Sequence, residues 1–382
     1  MEYRELGGTG LRASVVGFGA EWIGEMSDVL LADVVACLEE AGVNIVDCWM
    51  ADPEIRRRLG QALAPHRDSW IIQGHIGSTW QNGQYVRTRD MRQVIPAFED
   101  ELRLLQTDHF ELGMIHYVDA VDAVDEFQQI MDGPFYEYVR TLKQAGTIRH
   151  VGLSTHNPHV ALVAAETGVV EMMMLSINPA FDTMPASDDI NALFGDLHEG
   201  GEGIDPVRER LYATCEERGI GITVMKPYAG GRLLDADKSP FGKALTPVQC
   251  IHYCLTRPAV TSVLVGVKDV AQAQAALAYA DATDDQKNYG PVLAQAPVHS
   301  YYGQCIYCGH CQPCTEGIEI ATVNKFADLA KMQETVPESV RQHYLALEAN
   351  ASDCIACGTC EPNCPFGVPI VQRMQETAEL FA

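Results

Sequence analysis

Cys354-Ile-Ala-Cys357-Gly-Thr-Cys360-Glu-Pro-Asn-Cys364-Pro365, near the end of this 382-residue chain, decides the fold of its C-terminal part. A related run, Cys305-Ile-Tyr-Cys308-Gly-His-Cys311-Gln-Pro-Cys314, lies shortly before it. The remaining cysteines are scattered singly, as small core hydrophobes usually are: Cys37, Cys48, Cys215, Cys250 and Cys254. Disulfides are rare in a cytoplasmic chain, so the clustered thiols need a ligand to explain them.

The second run matches the bacterial ferredoxin pattern C-x2-C-x2-C-x3-C-P residue for residue, and the first run resembles it with a shorter last gap. In that pattern the fourth cysteine of each run binds the other cluster. The resemblance therefore implies two crossed sets: Cys305, Cys308, Cys311 with Cys364, and Cys354, Cys357, Cys360 with Cys314. Thiols at two-residue spacing favour [4Fe–4S] clusters over zinc, which usually takes two separated pairs. We expect two clusters, with one cluster or zinc as the alternatives.

The spacer between the two runs has helical patterning over Val323–Leu329 and Glu338–Leu347. A compact ferredoxin sheet would use a shorter spacer. We therefore expect residues 284–382 to form a helical extension and a small, mainly helical dicluster ferredoxin domain.

The formal net charge of −25 argues against a nucleic-acid partner, because phosphate binding needs a basic surface. It is compatible with docking onto a basic redox partner protein, or simply with solubility. No stretch approaches the roughly 20 apolar residues of a membrane helix, and the charged Met1–Glu5 start does not look like a signal peptide. We therefore expect a cytoplasmic protein; its oligomeric state cannot be read from the sequence.

Residues 1–283 alternate between short apolar runs and amphipathic stretches. The predicted strands are Val15–Gly17, Asn44–Asp47, Trp70–Gln73, Phe110–His116, His150–Leu153, Met172–Ile177, Gly221–Met225 and Ser262–Val265. Eight β/α pairs are typical of a (β/α)8 TIM barrel. A doubly wound sheet is the alternative, but Gly17-Phe-Gly19-Ala-Glu-Trp22 does not complete the G-x-G-x-x-G turn expected of it.

Two further segments stand out in this part of the chain. Glu2–Arg12, with its Gly7-Gly-Thr-Gly10 turn, is predicted to form a hairpin before the first strand. A polar, Gly-rich insert, Pro185–Ile204, follows the sixth strand and is expected to form a loop over the C-terminal mouth of the barrel, where TIM-barrel sites lie.

The order and spacing of these segments resemble the aldo-keto reductase superfamily. The resemblance rests on Gly42-Val-Asn-Ile-Val-Asp47, Met114-Ile-His116, Ile148-Arg-His-Val-Gly-Leu-Ser154 and Val224-Met-Lys-Pro-Tyr-Ala-Gly-Gly231. With the cysteine runs added, it points to the branch fused to a C-terminal 4Fe-4S, α-helical ferredoxin domain. The resemblance implies reduction of carbonyls with NADPH by an Asp, Tyr, Lys and His tetrad in which Tyr is the general acid.

Only half of that tetrad is present. Asp47 and His116 stand at the matching aspartate and histidine positions. The tyrosine should come about five residues after Asp47, but the sequence there is Cys48-Trp-Met-Ala-Asp52-Pro53. His75 stands where the lysine should be. We expect Asp47, His75 and His116 to meet at the mouth and to move protons near neutral pH. Aromatic residues at loop positions, Trp22, Trp49, Trp80 and Tyr117, suit a ring-bearing substrate.

Binding of NADP(H) or NAD(H) is the other expectation that the resemblance carries. The contacts it implies are Ser154, Asn178, Lys226, Gly231, Arg232 and Lys268. Against it, the strand-six glutamine is Met174, and the Glu-Asn pair that holds the adenine is Ala275-Ala276. The sequence therefore leaves nicotinamide binding open.

Three functions remain open from the sequence. The first is an oxidoreductase, dependent on NAD(P)H or ferredoxin, acting on a small organic substrate of aromatic or carbonyl type with electrons passing through two [4Fe–4S] clusters. The second is an electron-transfer or docking subunit with an inactive barrel. The third is a non-redox lyase or isomerase. The cluster chemistry also implies oxygen sensitivity and an anaerobic host.

Overall fold

The structure is a computed structural model that describes residues 1–119, 122–186, 203–294, 303–331, 336 and 338–382. Its centre is a closed barrel of eight parallel strands, in the order β10-β11-β12-β3-β4-β5-β8-β9. The strands are β3 (Val16–Gly19), β4 (Ile45–Cys48), β5 (Ile71–Ile76), β8 (Phe110–Ile115), β9 (Ile148–Thr155), β10 (Met172–Ser176), β11 (Gly221–Met225) and β12 (Val260–Gly266). Their almost continuous burial explains the apolar runs, because parallel strands are covered on both faces.

The remaining strands form two hairpins outside the barrel: β1 (Tyr3–Glu5) with β2 (Arg12–Ser14), and β6 (Ser78–Gln81) with β7 (Gln84–Arg87). The β1–β2 hairpin is the one predicted before the first strand. It lies at the N-terminal end of the barrel, where the Gly8 amide donates to the Gly219 carbonyl and Arg4 donates to the Leu255 and Val260 carbonyls. It therefore closes the end of the barrel opposite the mouth.

Helices surround the barrel strands. They are α1 (Asp28–Glu40), α2 (Pro53–Leu63), α3 (Met91–Leu104), α4 (Ala123–Asp132), α5 (Pro134–Ala145), α6 (Pro158–Thr167), α7 (Pro179–Thr183), α8 (Pro206–Glu217), α9 (Pro247–Leu255) and α10 (Val270–Leu277). Several begin with a side-chain cap followed by proline, as at Asp52-Pro53 and Asn157-Pro158, which satisfies free amides and pre-sets the first helical residue.

The TIM barrel predicted from the sequence is confirmed, and the doubly wound alternative is wrong. The elements of the barrel part that were not predicted include helices α4 and α7 and the β6–β7 hairpin. Most of the predicted Pro185–Ile204 loop, residues 187–202, lies outside the described residues.

The C-terminal part is mainly helical, as predicted. Its helices are α11 (Asp284–Lys287), α12 (Gly290–Leu293), α13 (Ile320–Lys331), α14 (Glu338–Leu345) and α15 (Ile370–Leu380). Arg257 joins it to the barrel: this buried side chain donates to the Ile306 carbonyl at 2.6 Å and packs between the rings of Tyr253 and Tyr307. Within the parts of the chain that the structure describes, no helix is long and apolar enough to cross a membrane.

Candidate functional site

The carboxyl ends of three neighbouring strands bring Asp47, His75 and His116 into contact at the barrel mouth. His75 Nε2 lies 2.8 Å from Asp47 Oδ1, and His75 Nδ1 lies 2.8 Å from His116 Nδ1. All three side chains are almost completely buried. The sequence predicted that the three would meet, because β4, β5 and β8 are adjacent in the barrel; the direct contact between the two imidazoles is new.

Tyr85 extends this line of side chains toward solvent. Its hydroxyl lies 2.8 Å from His116 Nε2, and the residue is 37% exposed. It is carried by β7, in the hairpin that follows β5. The hairpin turns through Asn82 and Gly83, which both have positive φ, as a two-residue type I′ turn requires. This Asn-Gly pair was the sequence signal for the hairpin.

The four groups Asp47, His75, His116 and Tyr85, here called the relay, have one consistent donor direction when Asp47 is ionised. Asp47 Oδ1 accepts from Gln73 Nε2 and from His75 Nε2, so the other ring nitrogen of a neutral His75 is an acceptor. His116 must then donate from Nδ1, and its Nε2 accepts the Tyr85 hydroxyl proton. Each member thus donates toward Asp47.

The electrostatics keep the outer members of the relay neutral. Burial, followed by the nearby His75, lowers the pKa of His116 well below its usual value. Burial also raises the pKa of Tyr85 to about 12, despite the opposing charges of Arg87 and Arg89. Tyr85 is therefore a weak acid that keeps its proton in the resting state. A neighbouring group that reprotonates the phenolate would help Tyr85 to act as a proton donor.

A buried ion pair lies next to the relay and contacts the backbone of His75. Arg56 Nη2 lies 3.2 Å from Glu101 Oε2, and Glu101 Oε1 accepts the backbone amide of His75. Asp52, which lay close to the expected tyrosine position, instead caps α2 through the Glu54 amide. The backbone of His75 is therefore held by a buried carboxylate that is itself paired with Arg56.

Aromatic rings surround the outer end of the relay. The Trp49 ring lies edge-on to Tyr85 at 5.5 Å and nearly parallel to His116 at 6.4 Å. Tyr117 lies 5.6 Å from the His116 ring and has a positive φ of 53°, an uncommon conformation that often occurs at functional sites. Flat apolar surfaces beside a proton donor suit an unsaturated or ring-bearing molecule.

The expected nicotinamide contacts are only partly available. The Asn178 amide caps α7, accepting from Ala180 and Phe181, and donates to the Lys226 carbonyl. Lys268 pairs with Glu25 at 2.8 Å and lies 3.8 Å above the Trp22 ring. Both expected contacts, Asn178 and Lys268, are therefore engaged by other residues of the chain.

The other four expected nicotinamide contacts are placed differently. Ser154 is buried at the end of β9, whereas Gly231 is exposed with a φ of 89° and open space around it. Arg232 donates from Nε to the Ala229 carbonyl. Burial lowers the pKa of Lys226, with Glu21 and Asp119 opposing the shift. The Gly230-Gly231 turn is therefore the most accessible of these expected contacts in the loop after β11.

The eight clustered cysteines line two cavities in the crossed arrangement. One cavity is lined by Cys305, Cys308, Cys311 and Cys364. The other is lined by Cys314, Cys354, Cys357 and Cys360. Each cavity therefore receives three thiols from one run and one from the other, as the ferredoxin pattern implies.

The donor set fits a cluster better than a single ion. In the described part of the chain, no three Cys, His, Asp or Glu side chains converge closely enough to hold one metal ion. A zinc ion needs four ligands within about 2.3 Å, whereas a [4Fe–4S] cluster needs thiols spread around a larger core. Asn324 donates to Cys305 Sγ at 3.5 Å, and Thr359 donates to Cys357 Sγ at 3.4 Å, as outer partners of such thiols do.

Fold and site together define a (β/α)8 barrel enzyme scaffold joined to a ferredoxin-like unit. Residues 15–249 match the aldo/keto reductase family, and residues 304–369 match a 4Fe-4S dicluster domain. The chain therefore belongs to the aldo/keto reductase family, a family of oxidoreductases, and carries a 4Fe-4S dicluster domain at its C-terminal end.

Individual relatives are distant. The aldo-keto reductase YhdN of Bacillus subtilis is 26% identical over 40% of this chain, and the match spans 47% of that protein. An L-galactose dehydrogenase of Arabidopsis thaliana is 24% identical over 72% of this chain and 86% of its own length. The solved aldo-keto reductase AKR11C1 of Bacillus halodurans matches with a TM-score of 0.60 at 22% identity, over 79% of this chain and 98% of that one. This last likeness shows the fold.

Buried histidines give the barrel a predictable acid sensitivity. Burial lowers the pKa of His116 and His156, and it lowers the pKa of His252 to about 4. Below an unfolded-state pKa of about 6.5, the unfolded chain therefore binds protons that the folded chain does not. We expect the free energy of unfolding to fall on acidification from about pH 6.5, by about 1.4 kcal/mol per pH unit for each such histidine.

Denaturant titrations at several pH values, followed by tryptophan fluorescence, measure this slope, because all four tryptophans lie in the barrel sequence. Replacing His252→Gln should make the slope shallower, whereas replacing the exposed His66→Gln is the control. Equal slopes in the His252→Gln variant and the unmodified protein would contradict the prediction.

Proposed function

We propose that the chain is an iron–sulfur oxidoreductase that reduces a small organic substrate at the barrel mouth, with Tyr85 as the proton donor and with electrons supplied through the cysteine unit. The observation that carries the proposal is the relay, in which a half-exposed hydroxyl ends a hydrogen-bonded line to a buried carboxylate. His75 stands in the place of the tetrad lysine, and its ring contacts His116. In the proposed proton-delivery system, His75 and Tyr85 thus take the places of the usual lysine and tyrosine beside Asp47 and His116.

Proton delivery along the relay balances. In loading, solvent gives a proton to the Tyr85 oxygen and each member passes one proton inward, so that Asp47, His75 Nδ1 and His116 Nε2 carry protons. In delivery, one proton shifts from Asp47 to His75 Nε2, one from His75 Nδ1 to His116 Nδ1, and one from His116 Nε2 to the Tyr85 oxygen. The Tyr85 proton passes to the substrate oxygen. One proton leaves Asp47, one reaches the substrate, and the four groups end in the resting arrangement. The reverse sequence serves an oxidation.

Reduction of a carbonyl to an alcohol needs two electrons and two protons. The relay supplies one proton and solvent the other. When bound to the eight cysteines, [4Fe–4S] clusters supply single electrons. The substrate proposed is therefore a small carbonyl compound or an aromatic, conjugated one, which can accept electrons singly.

Packed side chains connect the cysteine unit with the barrel wall. Arg257 and Tyr289 both donate to the Ile306 carbonyl, next to Cys305. Arg257 lies 4.6 Å from the Tyr253 ring, and the Tyr253 hydroxyl donates to Asp182 on α7, directly after β10. This continuous buried contact supports electron passage from the first cysteine run into the barrel wall.

The proposal is tested by anaerobic spectroscopy of the iron-loaded protein. Dithionite should bleach the visible iron–sulfur absorbance, and addition of the true substrate should restore it with formation of a reduced product. The substrate is sought among a panel of small carbonyl compounds and aromatic carbonyl compounds. Turnover with no reductant present would contradict the proposal and favour a lyase or isomerase.

Nicotinamide-dependent reduction is the second candidate, and the Gly230-Gly231 turn, which stays accessible, favours it. Adding NADPH or NADH in place of dithionite separates the two, because bleaching would establish a nicotinamide as the electron source. Two clusters, domain limits of 1–283 and 284–382, and a cytoplasmic, oxygen-poor setting complete the proposal.

A further inference from the structure

The two cysteine loops are internal repeats of one another. Cys305-Ile306-Tyr307-Cys308 corresponds to Cys354-Ile355-Ala356-Cys357. The third residue of each has positive φ, 59° at Tyr307 and 54° at Ala356, and the following glycines, Gly309 and Gly358, both have φ 73°. A helix follows each run, beginning at Ile320 and at Ile370. The loops therefore present equivalent faces.

The barrel covers one of these faces and leaves the other open. Ile306 is 1% exposed, and its carbonyl accepts from Arg257 and Tyr289. The start of α12 packs equally closely, since a Cβ on Gly290 would lie 3.3 Å from Cys308 Sγ. Ile355, at the equivalent place, is 59% exposed.

The open loop combines this apolar residue with an exposed thiol and acidic neighbours. Cys357 is exposed, and Ile355 and Glu316 line the same cavity as Cys357. Asp353 and Glu361 flank the run, and residues 344–372 contain no lysine or arginine. A partner surface with an apolar centre and a basic rim matches this chemistry. A second copy of this chain would carry the same charge of −25 and be repelled.

We propose that the loop Cys354–Cys360 is the docking face for an external redox protein with a basic surface, and that this partner covers Ile355 as the rest of the chain covers Ile306. This inference rests on the electron route proposed above and identifies the place where electrons enter the protein. The partner is a small one-electron carrier whose own redox group lies near a surface rich in lysine or arginine.

The test uses the iron-loaded, dithionite-reduced protein and mitochondrial cytochrome c, a small basic haem protein, as the probe. One electron passes from the protein to each ferric haem, which becomes ferrous, and stopped-flow absorbance gives the second-order rate constant. Ile355→Ser should lower this rate constant at least tenfold and weaken complex formation in calorimetry at low ionic strength, because it removes the apolar contact and leaves the charge of the loop unchanged. Val29→Ser, at an exposed aliphatic residue on α1, makes a comparable change and should have little effect.

A second pair of variants tests the acidic rim. Glu316→Lys should lower the rate constant at low salt and flatten its dependence on ionic strength, whereas Glu99→Lys on α3 should do so far less. Iron content, the electron paramagnetic resonance spectrum and the rate of reduction of uncharged benzoquinone are measured in every variant, because Ile355 and Glu316 line the second cysteine cavity. The cytochrome c rate constant is then compared after division by the benzoquinone rate constant.

Equal rates in Ile355→Ser and Val29→Ser would overturn the docking face. Concentration-dependent dimers that Ile355→Ser abolishes would also overturn it, in favour of a second copy. Because the test needs no organic substrate, it succeeds or fails independently of the chemistry proposed for the barrel.

Discussion

Replacing Tyr85→Phe is expected to lower kcat by roughly 10²- to 10⁴-fold, the range that a positioned general acid contributes. The phenyl ring keeps the edge-on contact with Trp49 and loses only the hydroxyl that lies 2.8 Å from His116. KM should change little, because the lost interaction matters most when charge develops on the substrate oxygen. Steady-state kinetics on the iron-loaded protein with dithionite as the electron source would measure both constants.

Tyr117→Phe is the matched control, since Tyr117 also lies against His116 and its pKa is likewise raised to about 12 by burial. No hydrogen bond joins its hydroxyl to the relay among the described residues. A Tyr85→Phe enzyme that retains kcat within a few-fold, or a Tyr117→Phe enzyme with the larger loss, would contradict the assignment.

A third variant examines the inner half of the relay. His75→Gln keeps a polar side chain between Asp47 and His116 and removes the ring that passes a proton from one nitrogen to the other. Its kcat should fall and its solvent isotope effect should rise, because reprotonation of Tyr85 becomes slow. A loss of substrate affinity alone would indicate a structural role.

Residue order alone was enough to place the barrel and three of its mouth residues. Asp47, His75 and His116 end adjacent parallel strands, and the ends of such strands meet at one edge, so their proximity followed from the count of β/α pairs. Which ring nitrogens face each other did not follow, because it depends on the side-chain rotamers of His75 and His116. The crossed cysteine cavities could be expected because local spacing sets the ferredoxin pattern.

Tyr85 was missed for a different reason. The expected tyrosine position follows β4, and its absence there suggested that the barrel had no phenolic acid. The replacement comes from a hairpin inserted after β5, and its reach to His116 depends on the twist and direction of that hairpin. The Asn82-Gly83 turn predicts a hairpin but gives no direction for it. Asn178 and Lys268 are the opposite case, because both match the family pattern in the sequence and yet have other partners in the structure. The Asn178 side chain caps helix α7, and Lys268 pairs with Glu25.

Replacing Cys357→Ser is expected to remove about half of the bound iron and to abolish turnover, if each cavity holds one cluster. Cys357 is the exposed thiol of the second cavity, so its loss should leave the barrel and the first cavity folded. Iron analysis, electron paramagnetic resonance and activity would be measured on the same preparation. Cys37→Ser, at a scattered cysteine on α1, controls for general thiol effects.

The crossed arrangement makes a sharper form of this prediction available. Cys364 belongs to the second run by sequence but lines the first cavity, whereas Cys314 belongs to the first run and lines the second. Cys364→Ser should therefore alter the same spectral component as Cys308→Ser, and Cys314→Ser the same component as Cys357→Ser. Pairing by sequence order instead would refute the crossed sets. Full turnover in Cys357→Ser would mean that the cysteine unit is structural, and the electron route through it would have to be abandoned.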